Sequence, residues 1–150
     1  MSVLFAFLHH LAAFTLVAAL AIEFTLLRGE INAQSARRLQ LADMVFGASA
    51  GVLLFAGLLR VFYFEKGPAY YFHSWPFLAK LVLFLLVGLL SVPPTLEFLS
   101  WRRVLRQGQV PELSDARRRR LRMLMHLELA GVVLILLCAA LMARGVGYYG

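Results

Sequence analysis

The residues able to do chemistry in this chain are few: four histidines (His9, His10, His73 and His126), the cations Arg60 and Lys80, and the carboxylates Glu23, Asp43, Glu97 and Glu128, nearly all set within or beside long apolar runs. Imidazole can ligate a metal or pass a proton near neutral pH. Arginine and lysine can clamp carboxylates or phosphates. The single cysteine, Cys138, excludes an internal disulfide and reads as packing. Met123, Met125 and His126 offer soft ligands for copper, although methionine also fills apolar gaps. There is no specific metal motif, nucleotide-binding loop or nucleophile constellation.

The elements that must position these groups follow from composition. Of 150 residues, 61% are apolar and 15% charged, and the mean hydropathy is +0.78. A soluble globule is excluded, since ordinary soluble domains are roughly 45–50% apolar. Four stretches, 3–27, 41–64, 75–98 and 121–143, each reach the ~20 helical residues that cross a hydrocarbon core. The apolar runs are continuous rather than alternating, which argues against strands. The predicted fold is all-α, a four-helix transmembrane bundle forming one domain over residues 1–150. The first span has no preceding positive charge and is too long for a signal peptide, so it is expected to stay attached.

Eleven of the fifteen Lys and Arg residues fall in the first and third loops. The positive-inside rule then predicts a multi-pass protein of the bacterial inner membrane with both termini on the outer, periplasmic side. The run Arg117–Arg120 stands directly before a span, where it sets topology and meets anionic membrane lipids; nucleic acid is not an expected partner. Residues 107–115 read as a linker, and Ser114 as the N-cap of a basic helix entering the last span. Pro93 and Pro94 predict a kink or an early end of the third span.

Sorted by depth, the intramembrane polar residues form two layers. Glu23, Asp43, Glu97, His126 and Glu128 lie toward the inner face, where pairing with Arg28, Arg37, Arg102 or Arg122 would explain the carboxylates. A proton path through Glu23, His126 and Glu128 is the sharper alternative, but His126 and Glu128 are two residues apart and point to opposite helix faces. His9, His10, Arg60, Tyr63, His73 and Lys80 lie toward the outer face, and salt bridges do not explain them. His10 shares a helix face with Phe14, Val17 and Ala21, a stripe suited to a large flat ligand, whereas His9 projects about 100° away, so the two are not expected to ligate one metal. In the second span Gly47, Ala50, Gly51, Leu54 and Gly57 make a small-residue face that admits another helix or a cofactor. The loop Tyr70-Tyr71-Phe72-His73-Ser74-Trp75 is an aromatic interfacial belt and a candidate lid. With a rise of about 1.5 Å per residue, His10 and His126 are separated by on the order of 10 Å along the membrane normal. One iron is therefore not shared between them, and His10 with His73, if the loop folds inward, or His10 with an open or non-histidine sixth position, remain the candidate ligations.

His9-His10 at the start of an apolar helix, Arg37-Arg38-Leu39-Gln40-Leu41-Ala42-Asp43 leading into a glycine-rich helix, and His73-Ser74-Trp75-Pro76-Phe77-Leu78-Ala79-Lys80 together resemble a bacterial family of predicted inner-membrane proteins of unknown function. Over about the first hundred residues the chain also resembles, more distantly, the HemJ-type protoporphyrinogen oxidases. That resemblance implies haem b on the first-helix histidine, by position His10, and a functional lysine, by position Lys80. The extra histidine at position 9 and the arginine-rich third loop depart from that pattern. The expectation is a haem b-binding redox protein, a HemJ-like oxidase or a quinone-linked cytochrome. His10 and His73 are its candidate iron ligands, Arg60 and Lys80 its partners for propionates or an acidic substrate such as a porphyrinogen, and Lys80 its catalytic candidate. A cofactor-free subunit or assembly factor docking a larger complex, or a homo-oligomer, is the alternative; a small transporter or copper-handling protein is the third.

Overall fold

A computed structural model describes residues 2–64 and 67–147. Among them the fold is helical: α1 (Ser2–Arg28), α2 (Ala33–Leu59) continuing as a π-helical segment (Arg60–Phe64), the short α3 (Pro68–Phe72), α4 (Trp75–Arg106) and α5 (Asp115–Ala143). The four long helices are each long and apolar enough to cross a membrane. α1 packs chiefly on α2 and α4 on α5, and the two pairs are joined through α2 with α4 and α1 with α5. The result is a four-helix transmembrane bundle built from two hairpins.

The helices outrun the apolar spans predicted for them. α2 begins at Ala33 because Asn32 and Ser35 form a capping box, each side chain bonding the other's backbone N–H at 2.8 Å. α5 begins at Asp115, with Ser114 Oγ accepting the Arg117 N–H at 3.2 Å, as the sequence predicts. Pro93 and Pro94 do not end α4, which runs on to Arg106. The missing N–H groups leave only the Leu89 and Leu90 carbonyls one turn back without their helical donors; Pro94 is buried, and one turn further on the carbonyl of Phe98 accepts Gln40 Nε2–H from α2 at 2.6 Å, which ties the continuing helix to its neighbour.

Packing is unequal along the bundle. The core runs through Leu20, Leu27, Leu39, Phe98, Trp101 and Met125, all at most 3% exposed, in the half that carries the arginine-rich loops. Phe98 and Trp101 rings meet edge to face at 5.2 Å. α4 and α5 approach closely at Gly131, where an added Cβ would stand 2.5 Å from Val87 Cγ2. The opposite half, which holds His9 and His10, is where the helices leave room.

At that end residues 144–147 turn back over α4. Gly147 has φ 84°, and its carbonyl accepts the Trp75 N–H at 3.3 Å. A Cβ on Gly147 would run into the Trp75 indole and Pro76, so only glycine suits both the backbone and the space.

Candidate functional site

A cavity of about 430 Å³ opens in the histidine half of the bundle, and it gathers His9 and His10 from α1, Arg60 from the π-helical segment, Tyr70 and Tyr71 from α3, and Lys80 from α4. The remaining wall is apolar, including Gly57 of α2, Phe77 and Phe84 of α4, and Ile135 and Met142 of α5. A volume of that size lies in the range of small-molecule sites, which are mostly apolar with a few convergent polar groups.

Each polar group is placed by a local cause. His10 is exposed and marks the mouth; its Nδ1 lies 2.7 Å from the Ala6 carbonyl. A carbonyl only accepts, so Nδ1 carries the hydrogen, and in the neutral ring Nε2 then keeps its lone pair. His9 is half-buried, with Cε1 3.3 Å from where a Gly57 Cβ would stand. Its Nδ1 is buried with no hydrogen-bond partner among the described residues, and Lys80, Arg60 and His10 are near enough to interact with it electrostatically. The π-helical segment widens the backbone after Leu59 and turns Arg60 and Val61 into the cavity, while Phe62 and Tyr63 are 47% and 76% exposed. Tyr71 packs on Phe77 with ring centroids 5.3 Å apart, fixing α3 against the first turn of α4, one turn before Lys80.

The sequence-predicted candidates divide accordingly. His10, Arg60 and Lys80 line one cavity. His73 does not line it; it is exposed at the C-terminal end of α3, with Nδ1 2.6 Å from the Ala69 carbonyl. Of the stripe expected beside His10, Phe14 (76% exposed) and Ala21 face outward and Val17 packs against the core; none of them lines the cavity, whose apolar wall comes from α2, α4 and α5 instead. Of the glycine-rich face, Gly57 is approached by the His9 ring, whereas a Cβ on Gly47 or Gly51 would meet nothing within 4 Å. His9 is the lining residue that helical spacing placed elsewhere: it and His10 have centroids 6.1 Å apart and share the cavity. The sequence grouped His9 with His10, Arg60 and Lys80 by depth, but helical spacing could not show that Gly57 lets its ring turn toward the same cavity.

The carboxylates at the arginine-rich end correct a second expectation. Glu97 does take an arginine, but it is Arg117, while also accepting Trp101 Nε1–H at 3.2 Å. Glu23, Asp43 and Glu128 meet none of Arg28, Arg37, Arg102 or Arg122; they converge from α1, α2 and α5, where the groups acting on them are one another and the Thr95 hydroxyl. His126 stands apart from Glu128, exposed, with its ring 4.7 Å from that of Phe24.

Among the described residues no group of three His, Cys, Asp or Glu side chains could hold a bare metal ion. A b-type haem asks for less: one imidazole with a free Nε2, cations for its propionates and apolar room. His10, Arg60 and Lys80, which line the same cavity, are groups of that chemistry.

No curated protein and no solved structure shows a significant match to the chain. A family model described as "Predicted membrane protein (DUF2214)" matches residues 1–147, so the chain belongs to that family of predicted membrane proteins.

Proposed function

We propose that the histidine-end cavity binds a flat, largely apolar ligand bearing carboxylates, with haem b as its resident form, and that the protein is a membrane redox protein. The observation that carries this reading is the convergence of two imidazoles from α1 and two cations from the π-helical segment and α4 on one otherwise largely apolar cavity. His10 Nε2 would hold the iron, and Arg60 and Lys80 would take the propionates or the acid groups of a porphyrinogen. When bound, haem would supply one-electron chemistry at a potential set by ligation and burial. Tyr70, Tyr71 and Phe77 would limit water on one side, and His9, seated on Gly57, would form the cavity's inner wall. In a HemJ-like reaction Lys80 would be the residue that clamps or moves a proton at the substrate. The loop arginines favour a bacterial inner membrane with the cavity toward the outer side, within reach of quinone.

The test is the colour of the purified protein. Reduced-minus-oxidised spectra should show Soret and α bands that are lost in His10→Ala and kept in His126→Ala. A wild-type protein that stays colourless after expression with a haem precursor refutes the haem reading. Growth of a strain lacking protoporphyrinogen oxidase, restored by the wild type and not by Lys80→Met, would separate an oxidase from a plain cytochrome.

A further inference from the structure

At the arginine-rich half, well away from the cavity, Glu23 and Glu128 are each 2% exposed and Asp43 is 8% exposed. Counted along α1, Glu23 is about 20 Å from His10. Glu23 and Asp43 stand in hydrogen-bonding contact, Asp43 Oδ1 also accepts the Thr95 hydroxyl at 3.0 Å, and Glu128 interacts electrostatically with both. One oxygen of Glu23 and one of Glu128 are buried without any hydrogen-bond partner among the described residues.

Two carboxylates cannot hydrogen-bond to each other without a proton, because an ionised carboxyl only accepts. Three negative charges side by side inside a bilayer, with no cation in reach, carry a cost that lone apolar packing cannot offset. The unpartnered Oε1 atoms are a separate sign, since a fully buried acceptor is ordinarily satisfied and an orphan one requires an explanation. A metal ion is not that explanation, because the three carboxylates are not arranged to hold one.

We infer that Glu23, Asp43 and Glu128 form an intramembrane proton-binding site. Glu23 carries the proton that it donates to Asp43, whose second acceptor duty is to Thr95. Glu128 holds a further exchangeable proton on the same cluster. Every charged or titratable group acting on the site comes from within it: Glu23 on α1, Asp43 on α2 and Glu128 on α5, with α4 contributing only the neutral Thr95. The inference does not depend on what the histidine-end cavity binds.

Infrared difference spectroscopy on the full chain in lipid nanodiscs tests it. The chain has eight Asp and Glu residues, and those in contact with water are ionised by about pH 8. A carboxylic C=O band that persists at that pH, and shifts in D2O, therefore reports buried protonated groups. The wild type should show it, and Glu23→Gln and Glu128→Gln should each lose part of its intensity, while Glu97→Gln leaves it intact. Absence of the band in the wild type at about pH 8 overturns the proposal without recourse to any variant. So does a band left unchanged by both Glu→Gln substitutions in protein with wild-type helical content.

Discussion

Gly131→Ala probes the seam on which both polar regions depend. Gly131 follows Glu128 by three residues and precedes Ile135 of the cavity wall by four, so it lies about 4.5 Å along α5 from the first and about 6 Å from the second. The new Cβ would stand 2.5 Å from Val87 Cγ2, where carbon atoms at rest keep about 3.5–4.0 Å. Val87 is only 5% exposed and Gly131 is buried, so neither can step aside into lipid. Overpacking of this kind costs about 1–3 kcal/mol, a loss of roughly 5- to 150-fold in the folded-to-unfolded ratio. The obstacle is a side-chain methyl, which makes the cost separable: Val87→Ala removes it, at a cost on the order of 2 kcal/mol in lost packing when made alone. In the double variant the methyl introduced at position 131 occupies the vacated space, so the two destabilisations should fall short of their sum by about 1 kcal/mol or more. Reversible unfolding in mixed micelles, followed by helical circular dichroism, measures all four proteins. Strict additivity, or a Gly131→Ala protein as stable as the wild type, would refute the packing argument.

Other outcomes follow from single contacts. Gly57→Ala should displace the His9 imidazole by a few tenths of an ångström, because its Cβ would be 3.3 Å from Cε1; the imidazole NMR resonances of His9 should move while those of His126 stay. Lys80→Met should weaken binding of a dicarboxylic porphyrin by about 10- to 150-fold, the loss of one charge-assisted bond of roughly 1.5–3 kcal/mol. The porphyrin's dimethyl ester should bind both proteins alike, and equal weakening of acid and ester would remove Lys80 from the carboxylate end. Ser114→Ala should cost ~1 kcal/mol through loss of the Oγ bond to the Arg117 N–H, and no change in the unfolding midpoint would show that water caps α5 equally well.

The bundle was legible because its signals are local and redundant: four apolar runs, the Ser114 cap and the arginine bias each stand in a short stretch of sequence. Lys80 and Arg60 were legible as a pair at one depth for the same reason. Which faces meet was not. The spacing that aligned His10 with Phe14 described one helix correctly, yet the bundle leaves Phe14 facing outward and fills the apolar cavity wall from α2, α4 and α5. The π-helical segment that aims Arg60 rotates the chain in a way that no periodicity of 3.6 encodes. Pairing carboxylates with the nearest arginines failed for Glu23, Asp43 and Glu128 because Arg28, Arg37 and Arg102, exposed near the ends of their helices, can reach water and headgroups more cheaply than they can descend into the bundle.

The contact between Gly147 and the start of α4 bears on how the molecule is made. Trp75, Pro76, Phe77 and Lys80 belong to the first turns of α4, yet the carbonyl that receives the Trp75 N–H is encoded seventy-two codons later. During synthesis the third span is made with that end of the helix unfastened, and it stays so until residues 144–147 have emerged. The cavity is consequently a late product of biogenesis, assembled after all four spans are threaded. A ribosome stalled before residue 147, or a fusion that pulls this turn away, would leave an inserted bundle with an unfinished site.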